Sequence, residues 1–201
     1  MEKIDLKKQY SRLYNTPLGK NVLVRVPAFN FLMINGQGDP NTSRDYKEAV
    51  EDLYSVSYAL KFQSKKEGSD YTVMPLEGLW YGASEQVFLT GDKDKWQWTM
   101  MIMQPPFIEA GMVEQAKAAA AKKKPFAALP RLRFESFEEG LAAQVMYVGP
   151  YSEEHDTIMK LHQFIGEQGY SLRGYHHEIY LNDPRKTTPA RLKTIIRQPA
   201  G

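Results

Sequence analysis

Apolar positions along this chain follow two rhythms. Residues 22–26 and 29–34 are short extended runs of valine, leucine, phenylalanine and isoleucine, the signature of strands. From Tyr46 the spacing changes to three and four, through Val50, Leu53, Tyr54, Ser57, Tyr58, Lys61 and Phe62, which is one face of a helix. Thr42 or Ser43 can cap that helix, and Lys65, Lys66 and Gly68 close it, since positive charge suits a helix C-terminus and glycine permits the exit. Residues 71–80 read as a strand kinked at Pro75, and 96–103 as another, stopped by Pro105 and Pro106; the charged stretch from Gly91 to Lys95 turns between them. An alanine- and lysine-rich helix over 108–124 follows. The pattern then restarts, with strands over 132–137 and 141–148 joined by Glu138, Glu139 and Gly140. Ser152 caps a helix carrying Glu153 and Glu154 in its first turn and Ile158, Leu161, His162 and Ile165 beyond. Strands follow over 174–184 and 193–197.

The order strand-strand-helix-strand-strand thus occurs twice around a linking helix. It predicts an α+β fold of two related strand-helix-strand-strand halves with helices on antiparallel sheet. Residues 1–20 are expected as a loosely packed leader. Residues 21–201 form the domain, in halves 21–105 and 130–201 joined by the helix 108–124, and a cleft between the halves is the expected place for a small molecule.

Charge and composition narrow the function classes. With a net charge of +2, nothing global draws the chain to nucleic acid or a membrane surface. There is no cysteine, which removes disulfides, thiol nucleophiles and thiolate metal sites. No run approaches the ~18 apolar residues of a membrane span, and residues 1–8 alternate charge with apolar residues instead of forming a signal peptide. A cytoplasmic protein is the expectation.

Chemistry concentrates on the strand containing Glu178. Alternation sets His176, Glu178 and Tyr180 on one face and His177, Ile179 and Leu181 on the other. Glu178 then either faces solvent or stands among aromatic rings, where poor hydration would raise its pKa and fit it to act as a base or cation receptor. Trp96, Trp98 and Met100 share a strand face, and Trp80 ends the strand before; these rings serve a core or a pocket wall. Tyr147 and Tyr151 bracket a strand-to-helix junction that can present a hydroxyl. Adjacent histidines at 176 and 177 point apart, so no metal site is expected. Ser84 and Ser136 lack a nucleophile's context, the glycines at 36 and 38 lack a phosphate loop's spacing, and Lys122 to Lys124 suit a helix end.

Three segments taken together resemble one family: Leu79-Trp80, then Trp96-Gln97-Trp98-Thr99-Met100-Met101-Ile102-Met103-Gln104-Pro105, then His177-Glu178-Ile179-Tyr180-Leu181-Asn182-Asp183-Pro184. In this order they are similar to the GyrI-like superfamily, which includes effector-binding domains of multidrug-sensing transcription activators and the DNA gyrase inhibitory protein, and to a stand-alone subgroup within it. The resemblance implies a pseudo-twofold aromatic cavity with Glu178 as its carboxylate. In the sensors that carboxylate receives aromatic cations. Some stand-alone members are similar to hydrolases that open the cyclopropane of DNA-alkylating natural products without a cofactor. Carried over, Glu178 is the general base and Tyr147 the catalytic hydroxyl, with Trp80, Trp98, Met100, Tyr151, Tyr180 and His176 as ligand-binding residues. Residues 1–20 are too short for a helix-turn-helix, so direct nucleic-acid binding is not expected. A detoxifying hydrolase, a multidrug-binding sensor or sequestering protein, and a module for gyrase or another protein partner remain the three readings.

Overall fold

The computed structural model describes residues 3–82, 93–122 and 125–201. Ser84, Gly91 and Asp92 of the charged turn, and Lys123 and Lys124 of the lysine run, lie outside them. The strands are β1 (Val22–Val26), β2 (Phe29–Gln37), β3 (Leu76–Tyr81), β4 (Gln97–Gln104), β5 (Arg133–Phe137), β6 (Gly140–Val148), β7 (His176–Tyr180) and β8 (Lys193–Pro199), with main helices Arg44–Lys66, Ala110–Ala121 and His155–Glu167. This is the α+β order read from the sequence. No described helix is long and apolar enough to cross a membrane.

The chain forms two compact units. The first contains residues 29–74 and 80–137 with the first six residues. In it β2 pairs antiparallel with β4 on one side and β5 on the other, so that Leu32 faces both Ile102 and Phe134. Ser43 Oγ accepts the Tyr46 N–H at 3.2 Å and starts the long helix, whose Ala49, Leu53, Val56 and Leu60 are fully buried. The helix Ala110–Ala121 buries Val113, Ala116 and Ala120 and packs on the long helix. Its side chains on that face are small, which allows close approach.

The second unit contains residues 7–28, 75–79 and 138–201. Strands β1, β6, β8 and β7 neighbour one another in that order; the β1–β6, β6–β8 and β7–β8 pairs are antiparallel. Leu161 and Ile165 of the helix His155–Glu167 pack on Ala143, Val145, Ile196 and Ala200. Two features depart from the sequence reading. The amino-terminal stretch is no loose leader: Leu6, Leu13 and Tyr14 are buried, and the Leu13 carbonyl accepts from Arg197 at 3.0 Å. The units also do not follow chain order, because β1 pairs with β6 while β5 pairs with β2. The turn at Glu138 to Gly140 therefore joins strands of different units and does not close a hairpin.

Candidate functional site

β7 hydrogen-bonds along β8 with Glu178 opposite Ile196 and Tyr180 opposite Thr194. Its alternation is as the sequence indicates: His177 and Ile179 are buried, and His176, Glu178 and Tyr180 share the half-buried face. His176 Nε2 lies 3.0 Å from Glu178 Oε1, and the Tyr180 hydroxyl donates to Glu178 Oε2 at 2.8 Å. Each carboxylate oxygen thus has its own donor. Such bonds favour the charged form. Burial pushes the Glu178 carboxyl up, but the His176 bond and charge, then Tyr180 and Glu154, outweigh it and hold the group below its ordinary value. The raised pKa expected for Glu178 is therefore corrected: donors, which period-two spacing does not reveal, reverse the effect of burial.

The raised carboxyl is a different one. Glu154 is 3 % exposed, and its pKa is pushed up to about 9, first by burial and then by the charge of Glu178. In the sequence it reads as a first-turn helix glutamate behind a Ser152 cap. In the structure Tyr151–Glu153 is a 3-10 turn, the helix begins at His155, and Glu154 turns its carboxyl inward without capping it. Nothing in the sequence pattern marks it.

Of the tyrosines, Tyr180 bonds Glu178. The Tyr147 hydroxyl instead donates to the Pro150 carbonyl at 3.0 Å, and burial followed by the charges of Glu154 and Glu153 raises its pKa. Tyr151 is 39 % exposed and sets its ring edge-on to Tyr180, with centroids 5.6 Å apart. Replacing Tyr180 by phenylalanine is expected to raise the Glu178 pKa. Any activity that needs the carboxylate should then be lost at a higher pH on the acid side, as a pH–activity profile would read out.

Behind this face lies a buried ionic group that the sequence reading missed. His177 Nδ1 is 2.9 Å from Glu139 Oε1, and its Nε2 is 3.0 Å from Glu77 Oε2 at an angle that makes an ion pair instead of a directed hydrogen bond. Arg197 Nη1 reaches Glu139 Oε2 at 2.9 Å, Arg197 Nε reaches Gln144 Oε1 at 2.9 Å, and the Tyr14 hydroxyl donates to Glu77 Oε1 at 2.8 Å. Burial opposes the charge on His177, but Glu139 and Glu77 prevail and carry its pKa up to about 9. Burial likewise works against Glu139, and His177 and Arg197 hold it at about 2. Two cations and two carboxylates thus balance on the inner side of the strand that carries Glu178.

In the first unit Trp98 and Met100 are fully buried and Trp80 nearly so. Tyr46, which the helix spacing flags only as a core residue, stacks on Trp80 (centroids 6.2 Å, 26°) and meets Trp98 edge-on (5.3 Å, 88°). The buried Trp98 indole N–H has no hydrogen-bond partner. Gly36 is paired with Trp98 across β2 and β4, and a Cβ there would overlap the Trp98 ring. The glycine thus serves ring packing, and β2 runs on through it to Gln37. Gly36→Ala is expected to cost ~1–3 kcal/mol, the usual range for overpacking, with a shift in tryptophan emission; denaturant titration followed by fluorescence checks both.

An open groove of about 410 Å³ along the helix His155–Glu167, lined by Asp156, Met159, Lys160, His162 and Gln163, includes none of the predicted site residues.

Residues 22–199 match the family model of the GyrI-like small molecule binding domain. A conserved protein from Listeria innocua is 41% identical, with 99% of this chain and 100% of that chain covered and a TM-score of 0.92. A hydrolase from Listeria innocua is 39% identical, at 99% and 100% coverage and a TM-score of 0.87. The C-terminal domain of EcmrR shares the fold at a TM-score of 0.55, with 13% identity over 90% of this chain and 97% of that one. No curated protein matches the chain.

Proposed function

The chain belongs to the GyrI-like small-molecule-binding family, and on that premise we propose that it is a cofactor-independent hydrolase of cyclopropane-bearing, DNA-alkylating aromatic compounds. In this reading Glu178 is the general base. The observation that carries it is the pair of donors on Glu178, one to each oxygen. They keep it an oriented carboxylate on a strand face that is 14% exposed at its side chain. The near-full-length likeness to Listeria innocua proteins described as hydrolases supports the reaction class.

The reaction needs one proton acceptor and one stabilised oxyanion. Glu178 removes a proton from water as the water oxygen attacks a cyclopropane carbon. The strained carbon–carbon bond breaks, its electrons pass into the conjugated dienone, and the resulting phenolate oxygen takes up a proton, so the product is substrate plus one water. Base catalysis of this kind supplies about 10²–10⁴-fold in rate, and release of ring strain drives the step. Tyr147 is assigned to the phenolate oxygen and must give up its bond to Pro150 to reach it. Tyr151, Tyr180 and His176, on the same unit as Glu178, are the assigned ligand-binding residues. The protein would act in the cytoplasm, where such compounds threaten DNA.

The test is turnover with the cyclopropane-bearing compound in large excess, followed by loss of its dienone absorbance. Consumption of many equivalents supports the hydrolase. Retention of one unaltered equivalent per chain overturns it and makes the protein a sequestering or sensing domain.

A further inference from the structure

The Glu178 site contains a second carboxyl that the proposed reaction does not use. Glu154 ends the 3-10 turn Tyr151–Glu153, and the next helix begins at His155. Its backbone serves that helix, with Glu154 O accepting from Thr157 N at 2.9 Å and Ile158 N at 3.0 Å. The side chain makes no capping bond. It points to Glu178 and to Thr194 on β8, the residue paired with Tyr180. Glu154 Oε1 is buried with no hydrogen-bond partner, and so is Thr194 Oγ1. A buried, unpaired carboxylate oxygen beside a second carboxylate is costly on two grounds, desolvation and like charge. A single proton between the two carboxyls removes both costs.

The surroundings decide which carboxyl holds that proton. Glu178 already accepts on both oxygens, from His176 and Tyr180. An ionised acceptor requires His176 to present its Nε2–H. The charge acting on Glu154 is that of Glu178 on β7, which is negative, and together with burial it outweighs the Thr194 hydroxyl on β8, which favours the charged form. Tyr147 on β6 supplies no positive charge. The N-terminus of the following helix favours an anion, but the carboxyl makes no bond to it. The charge therefore sits on Glu178 and the proton on Glu154.

We propose that Glu154 holds a proton at neutral pH and donates it to Glu178, making an acid–carboxylate pair of net charge −1. In it Glu154 is the positioning residue and Glu178 the reacting group. The pH at which Glu154 titrates, raised to about 9 by burial and by Glu178, agrees with this. The functional consequence rests on the hydrolase reading; the proton itself does not. As pH rises past Glu154's titration the donor is lost, two like charges face each other, and Glu178 loses its orientation.

Carboxyl ¹³C NMR of the glutamate-labelled full-length protein between pH 5 and 10 tests the proton directly. One resonance should titrate far above the ordinary glutamate range. It should be absent in Glu154→Gln and should move lower in Glu178→Gln, where the neighbouring charge is gone. Glu154 titrating in the ordinary range would overturn the proposal whether or not the protein turns over any substrate. With the cyclopropane-bearing compound as substrate, Glu154→Ala should lose about 10- to 100-fold in kcat/KM, the worth of a hydrogen bond to a charged group. Glu154→Gln, which keeps an N–H donor in the same place, should restore most of that loss and abolish the decline on the alkaline side. Equal losses in the two variants, or an alkaline decline that survives in Glu154→Gln, would reduce Glu154 to a packing role and overturn the pair.

Discussion

Glu178→Gln is expected to lower kcat for the cyclopropane-bearing compound by about 10²–10⁴-fold, the contribution of a positioned base, with KM little changed. Glutamine has nearly the same volume and can still take hydrogen bonds from His176 and Tyr180 through its carbonyl oxygen. It cannot accept a proton from water, so the loss should fall on the chemical step. The same substitution removes the charge that an aromatic cation would meet. Binding of a fluorescent cation such as rhodamine 6G should therefore weaken as well, which fluorescence titration would show. A variant with unchanged kcat would remove Glu178 from the base role.

The second large effect is expected inside the second unit. Glu139→Ala should destabilise the protein by ~3–5 kcal/mol, because it leaves His177 and Arg197 as buried charges short of a partner. Arg197→Met, which removes one charge but keeps most of the volume, should cost comparably through the stranded Glu139. Equilibrium denaturation measures both. The pH dependence follows from the same group. His177 is raised from its ordinary 6.5 to about 9, so its contribution is complete below 6.5 and lost as pH rises through 9. Glu139 is lowered from 4.5 to about 2, so its contribution is complete above 4.5 and lost as pH falls through 2. Glu154, raised from 4.5, binds its proton more tightly in the folded chain and so also disfavours folding as pH climbs from 4.5 toward 9. Tm should therefore be highest at mildly acidic pH, between about 4.5 and 6.5, and fall toward pH 9. In Glu154→Gln the alkaline fall should be shallower.

How much of this was legible in the sequence depends on the range of the interaction. The alternation of β7 is local and placed side chains on the right faces. The period of the long helix gave the element but set its buried face too far round: Ala49, Asp52, Val56 and Leu60 are buried beside Leu53 and Ser57, and Tyr58 and Phe62 are exposed. Ser43 was named as one of two caps because a cap is read from adjacent residues. The pairings of β1 with β6 and β5 with β2 join positions a hundred or more residues apart, and nothing in the runs themselves selects a partner. For the same reason the leader looked loose. Leu13 and Tyr14 owe their burial to the second unit, where the Leu13 carbonyl meets Arg197 and the Tyr14 hydroxyl meets Glu77. Electrostatics was the least legible. Glu139 looks like a turn residue and Glu154 like an ordinary first-turn helix glutamate, and only the fold brings His177 and Arg197 to one and Glu178 to the other. The family likeness pointed to Glu178 but carried no signal of which tyrosine bonds it.

The account turns on Glu178 acting on water, and a single turnover in H₂¹⁸O with protein in excess over the cyclopropane-bearing compound tests this most directly. If Glu178 is the base, mass spectrometry of the product will find one ¹⁸O atom, and the glutamate will carry none. Product with ¹⁶O and label in Glu178 would contradict the account by making the carboxylate a nucleophile, and recovery of the intact compound would contradict it by making the protein a binder.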